Sequence, residues 1–202
     1  MNLDFYFPTP IWWVDLDIDN DYLLKYIYDM RDKSEGRKVS NRGGWQSEEF
    51  PSDDIEELRT EVYKNAGRCI LDYGMDPAVV GMFFGNCWAN INTRGNTNQI
   101  HLHHGSFVSG VYYPYASEGA GKIFFYKNFD QYFISTSMAP IEKHTALSGG
   151  TVYYPAKTGR LLLFPSNLLH AVDENEDDED RVSIAFNMAL MKNECYWTET
   201  CK

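Results

Sequence analysis

The stretch QIHLHHGSFVSGVYYP, Gln99 to Pro114, carries histidines at 101, 103 and 104, three of the five in the chain. Neutral imidazole is a ligand for zinc, iron, copper and nickel. In an extended strand, residues i and i+2 share a face. His101 and His103 can therefore reach one ion, while His104 turns the other way. A third ligand must come from elsewhere, and only His144 and His170 remain. His170 lies in RLLLFPSNLLHAV, where Gly159 and Pro165 bracket a buried strand and the histidine opens the next. His144, in MAPIEKHTALSGG, has no strand signal around it and is expected at the surface. His170 is the favoured partner.

A second chemical feature follows eleven residues later. In RVSIAFNMAL the even positions Val182, Ile184, Phe186, Met188 and Leu190 are all apolar. The odd positions are Arg181, Ser183, Ala185, Asn187 and Ala189. An arginine among small residues on the inner face of a sheet is costly unless it meets an anion. A guanidinium fork beside a hydroxyl suits a carboxylate. The bland alternative for Arg181 is an ion pair with the acidic run DENEDDED, 173–180, which reads as a solvated loop.

The elements that must position these groups are mostly strands. From about residue 79 onward, short runs rich in Tyr, Phe, Val and Leu follow one another between Gly, Pro, Asn and Ser: VGMFFGNCWANIN, SFVSGVYYPY, KIFFYK, TVYYP, RLLLFP, LLHAV and RVSIAFNMALM. Many short strands at this spacing predict a double-sheet jelly roll over 79–192. Before it, FPTPIWWVDLDI reads as a short strand, and Asn20–Met30 has helical spacing. A longer helix is expected from Ser52 or Asp53, either of which can cap it, to Gly74. Its buried stripe is Ile55, Leu58, Val62, Ala66 and Cys69 or Ile70. The expected organisation is one domain: a strand and helices over 1–78 packed outside the jelly roll, and a tail over 193–202. Trp12, Trp13, Trp45 and Trp88 read as packing residues, with a lid as the alternative role for Trp45 in its Gly-containing loop. Tyr112 and Tyr113 face opposite ways, so one at most lines a given cavity.

Composition narrows the partners. With 18 Lys and Arg against 29 Asp and Glu, the net charge is -11. No basic face is available to neutralise phosphates, so no nucleic-acid partner is expected. No segment approaches the length of a membrane span. Cys69, Cys87, Cys195 and Cys201 form no CxxC pair, and MNLDFYFPTP has no basic leader or long apolar core. Reduced thiols in a cytoplasm are expected.

Taken in order, FPTPIW, GGWQS, CWANIN, HLHHGSFVSGVYYP, GRLLLFPSNLLHAV and RVSIAFN resemble the 2-oxoglutarate and Fe(II)-dependent oxygenases, and most of all a small family of them in marine bacteria and phages. The resemblance spans nearly the whole chain. It implies a double-stranded β-helix, the cupin-like jelly roll of the superfamily. It implies His101, His103 and His170 as the iron ligands and catalytic centre, with Asp173 a lesser alternative. It implies Arg181 and Ser183 as the partners of the distal carboxylate of 2-oxoglutarate. Tyr113 matches a tyrosine that donates to the same carboxylate in prolyl hydroxylases, and Asn90 or Asn92 would line the co-substrate pocket. The implied activity is oxidative decarboxylation of 2-oxoglutarate coupled to hydroxylation by O₂ of an unknown substrate, a prolyl or other peptide residue or a small molecule. One departure stands out: the superfamily has Asp or Glu where this chain has His103. Two other classes remain open: a three-histidine metalloenzyme that uses no oxo-acid, and a catalytically silent jelly-roll module.

Overall fold

Residues 7–127, 142, 143, 145 and 149–192 are described by the structure, a computed structural model. His144, Cys195, Cys201, the tail 193–202 and most of 128–148 lie outside the described residues.

Two antiparallel sheets carry the fold. In chain order the strands are β1 (Trp12–Asp15), β2 (Asn41–Arg42), β3 (Trp45–Gln46), β4 (Val80–Asn92), β5 (Thr97–His101), β6 (Val108–Tyr115), β7 (Lys122–Tyr126), β8 (Thr151–Pro155), β9 (Arg160–Pro165), β10 (His170–Val172) and β11 (Arg181–Lys192). The larger sheet runs β1-β9-β6-β11-β4-β3 and the smaller β2-β5-β10-β7-β8. From β4 to β11 the chain passes between the sheets at each step except β7 to β8, which are neighbours in the smaller sheet; this is the winding of a jelly roll. The outer positions β1, β2 and β3 are additions from the N-terminal segment. β2 and β3, two residues each, lie in the polar loop for which no strand was expected.

The two faces of the larger sheet differ as the alternation in β11 predicts. Val182, Ile184, Phe186 and Met188 are buried in a core shared with two helices, α1 (Asn20–Arg31) and α2 (Glu56–Asp72). Helix α2 presents the expected stripe: Leu58, Val62, Ala66, Cys69 and Ile70 are all buried. Its start differs from expectation. Ser52–Ile55 forms a 3₁₀ turn ahead of the α-helix, and neither Ser52 nor Asp53 provides a side-chain cap. Helix α1 is capped by Asp19, whose carboxylate accepts from the Tyr22 N–H at 3.1 Å. The opposite face looks toward the smaller sheet. There Val111, Tyr113, Leu162 and Phe164 meet Ile123, Phe125 and Leu168 in a second core. No described helix is long and apolar enough to cross a membrane.

Two of the tryptophans depart from the packing role. Trp13 is largely exposed, under the Arg160 guanidinium at 4.9 Å from its ring. Trp88 faces the space between the sheets. Trp45 packs on the helix-side core and donates to the Ser34 carbonyl at 2.9 Å, so it is not a lid.

Candidate metal centre and its cavity

His101, His103 and His170 meet in the space between the sheets, and one nitrogen from each lies within 4.8 Å of the others. Register brings the first and last together, because His170 on β10 pairs with His101 on β5. Their ring centroids are 4.2 Å apart. His103 arrives by another route than strand parity. Strand β5 ends at His101, and the His103 N–H is tied to the Ser166 carbonyl at 2.8 Å. The chain then turns at Gly105, where φ is +78°, and exposed His104 is left outside. No carboxylate joins this group among the described residues. Asp173 is exposed, and its backbone carbonyl accepts from Arg181.

The electrostatics prepare three lone pairs. Nδ1 of His101 lies 2.6 Å from the Gln99 carbonyl, and Nδ1 of His170 lies 2.9 Å from the Leu168 carbonyl. A carbonyl only accepts, so each Nδ1 carries the proton and each Nε2 keeps its lone pair free. Burial pushes the imidazole pKa values down, to about 4 at His103 and about 3 at His170, with His101 lowered in the same direction. Three neutral rings, two of them with fixed tautomers, are what a metal ion takes up.

The histidines share a cavity of about 480 Å³ with Arg181, Ser183, Tyr113 and Asn90. These sit on the inner face of the larger sheet: Arg181 opposite Asn92 and Ser183 opposite Asn90 across β11 and β4. Arg181 is 1% exposed. Its Nη1 donates to the Asp173 carbonyl at 3.0 Å and to the Ala120 carbonyl. It makes no ion pair among the described residues, so pairing with the acidic loop is not what holds it. Three buried polar atoms in the cavity have no hydrogen-bond partner among the described residues: Arg181 Nη2, the Tyr113 hydroxyl and Asn90 Oδ1. Burial raises the Tyr113 phenol to about 12, which keeps it a donor. Tyr112 points to the helices instead, donating to Asn20 Oδ1 at 2.7 Å. An unspent guanidinium N–H beside an unspent phenol O–H fits an anionic oxygen from a ligand, and the three imidazoles fit a divalent metal.

Several lining residues were given no site role by the sequence reading. Trp88 stands 5.6 Å from His103, ring to ring. Asn86, Asn187, Gln46 and Gln99 add carboxamides to the wall. Gly121 lies in EGAGK with φ +79°, and a Cβ there would sit 2.9 Å from Arg181 Nη1. A Gly-rich turn was the available signal; its partner was not visible.

Known proteins agree with this geometry. Residues 86–187, half of the chain, match the family model described as "Putative 2OG-Fe(II) oxygenase". No curated protein matches the chain in sequence. Among solved structures, a Pseudomonas putida prolyl-4-hydroxylase aligns with a TM-score of 0.57 at 13% identity, over 89% of this chain and 92% of that one. A Trichoplax adhaerens prolyl hydroxylase, solved with a hypoxia-inducible-factor peptide, aligns at 0.59 and 16% identity, over 95% and 87%. HygX from Streptomyces hygroscopicus, solved with nickel and 2-oxoglutarate, aligns at 0.58 and 12%, over 90% and 83%. Those likenesses show the fold, the jelly roll read from the strands. With the family match, they complete the assignment: the chain belongs to the 2OG-Fe(II) oxygenases, oxidoreductases that work with Fe(II), 2-oxoglutarate and O₂.

Proposed function

We propose that the protein is a hydroxylase in which His101, His103 and His170 hold Fe(II), while Arg181, Ser183, Tyr113 and Asn90 hold 2-oxoglutarate. The observation that carries this reading is the shared cavity: three neutral imidazoles at one place, and a buried arginine with an unspent N–H at another. When bound, iron and 2-oxoglutarate supply the oxidation, with the oxo-acid leaving as succinate and CO₂. The chain's part is to bind, orient and exclude water. The Leu168 and Gln99 carbonyls fix two of the imidazoles, and the Ala120 and Asp173 carbonyls aim the Arg181 fork. Three imidazoles without a carboxylate leave one more positive charge on the metal, which favours an anionic chelator in the open positions.

A peptide substrate, prolyl or otherwise, is the favoured class. Likeness to prolyl hydroxylases supports it at the level of the fold alone. A reducing, cytoplasmic setting fits the buried thiols of Cys69 and Cys87, both raised to about 12. The test is anaerobic titration of the Fe(II)-loaded protein with 2-oxoglutarate, read by the visible charge-transfer absorption, followed by succinate release on adding O₂. A band that saturates with 2-oxoglutarate is expected. Metal binding with no 2-oxoglutarate binding would transfer the site to the three-histidine metalloenzymes that use no oxo-acid.

A further inference from the structure

The inner wall formed by β4 and β11 is laid out in rungs. From the deep end they are Arg181/Asn92, Ser183/Asn90, Ala185/Trp88 and Asn187/Asn86. Rungs on one face repeat every two residues, roughly 7 Å. The first two carry the groups assigned to 2-oxoglutarate. The third holds Trp88, beside His103, opposite the small Ala185. The fourth lies one rung past Trp88, on the side away from Arg181. A bulge between Asn187 and Met188 ends the wall there and returns Phe84 to the helix-side core.

That fourth rung is a directed chain of hydrogen bonds crossing three strands. The Ser109 hydroxyl on β6 donates to Asn187 Oδ1 at 2.7 Å. Asn187 Nδ2 donates to Asn86 Oδ1 at 2.9 Å. Asn86 Nδ2 donates to Glu49 Oε1 at 2.9 Å. A carboxylate only accepts, so the direction is set from the Glu49 end. Each carboxamide oxygen is then occupied by a neighbour. Among the described residues, each amide keeps one N–H without a partner, on residues that line the cavity. Asn187 is 6% exposed, so an unspent N–H there is costly without a ligand.

We propose, resting on the oxygenase reading above, that Asn86 and Asn187 form the recognition subsite for the prime substrate and donate to backbone carbonyls of an extended peptide. A peptide presents carbonyls as pure acceptors, which matches two unspent donors on one rung. The peptide class follows the proposed function, and a saccharide, whose hydroxyls also accept, is the contrast that the experiment tests. Trp88, between this rung and His103, supplies the apolar surface on which the side chain to be oxidised would lie.

The experiment uses the full chain loaded with zinc, a diamagnetic stand-in, and 2-oxoglutarate. Saturation-transfer NMR is recorded with a pool of N-acetylated, C-amidated pentapeptides randomised at their central positions, and separately with a maltooligosaccharide pool. Wild-type protein should transfer saturation to 2-oxoglutarate and to the peptides but not to the sugars. Asn187→Leu and Asn86→Leu should each cut the peptide signal at least fivefold and leave the 2-oxoglutarate signal within twofold. Asn187→Asp, which keeps the size but removes the donor, should behave alike where the leucine variants fail to fold. A normal 2-oxoglutarate signal with no peptide signal, with sugars bound instead, or with peptide signals indifferent to all three substitutions, overturns the subsite. Loss of the 2-oxoglutarate signal in wild-type protein overturns the oxygenase reading beneath it.

Discussion

Two arginines open strands of the larger sheet and are held in opposite ways. Arg160, at the head of β9, pairs across the sheet edge with Asp15, through Nε to Oδ1 at 2.8 Å and Nη2 to Oδ2 at 3.1 Å, and stacks on Trp13. Arg181, at the head of β11, is buried, reaches only backbone carbonyls among the described residues, and keeps Nη2 unspent. Burial pushes the Arg181 guanidinium pKa down from its ordinary value. Arg160 has its counter-charge within the chain and serves the fold. Arg181 bears a desolvated charge without a carboxylate, a cost that makes sense where a ligand brings the anion. The difference lies in the partners, since both residues look alike in sequence, each opening an apolar strand.

The comparison breaks first at Arg181. Replacement by alanine removes a charge-assisted fork worth about 3 kcal/mol, so the 2-oxoglutarate Kd should rise about 100-fold. Arg181→Lys keeps the charge without the fork and should cost roughly 10-fold. Both are read by the anaerobic charge-transfer titration. An Arg181→Ala protein that binds 2-oxoglutarate like wild type would make Arg181 a second Arg160. The cradle gives the next effect. Gly121→Ala strains a left-handed backbone and crowds Arg181 Nη1, so the same Kd should rise about 10-fold, with a lower melting temperature. Tyr113→Phe removes a hydroxyl that has no partner among the described residues. It should weaken 2-oxoglutarate by about fivefold while leaving thermal stability unchanged or raised, a combination a structural hydroxyl would not produce.

Much of this was legible where period alone decides. The two faces of β11 read directly from alternation, and so did the orientation of Tyr113 against Tyr112. His170 opening β10 followed from the turn residues before it. His103 joins the cluster by a route that parity does not give: the strand stops at His101, and a bond from the His103 N–H to the Ser166 carbonyl places the residue. What stayed hidden depends on contacts between distant segments. Asn187 and Asn86 are 101 residues apart. Parity carries Asn86 onto the cavity face with Trp88, Asn90 and Asn92, but the bulge just beyond it, which ends the wall, is a property of the paired strands. Strands β2 and β3 exist only because sheet edges are there to receive them. Gly121 is an ordinary turn glycine until Arg181 is packed against it.

The smallest effect sharpens the comparison from the Arg160 side. Chiefly through its hydrogen bond to Arg160, the Asp15 carboxyl lies below its ordinary value of 3.8. The folded state therefore holds the ionised form more firmly than the unfolded chain does. That stabilisation is fully present above the unfolded value and is lost as pH falls through the lower, folded one. Asp15 is about a third exposed (35%), so solvent screening keeps the contribution under about 1 kcal/mol. Asp15→Asn should melt about 1–3 °C below wild type between pH 6 and 8, with the gap closing as the pH falls from 3.8 through the lower, folded value. Neither Asp15→Asn nor Arg160→Ala should move the 2-oxoglutarate Kd by more than twofold. A larger change would mean that the sheet edge and the cavity are coupled through β9, and the division between a structural and a ligand-facing arginine would fail.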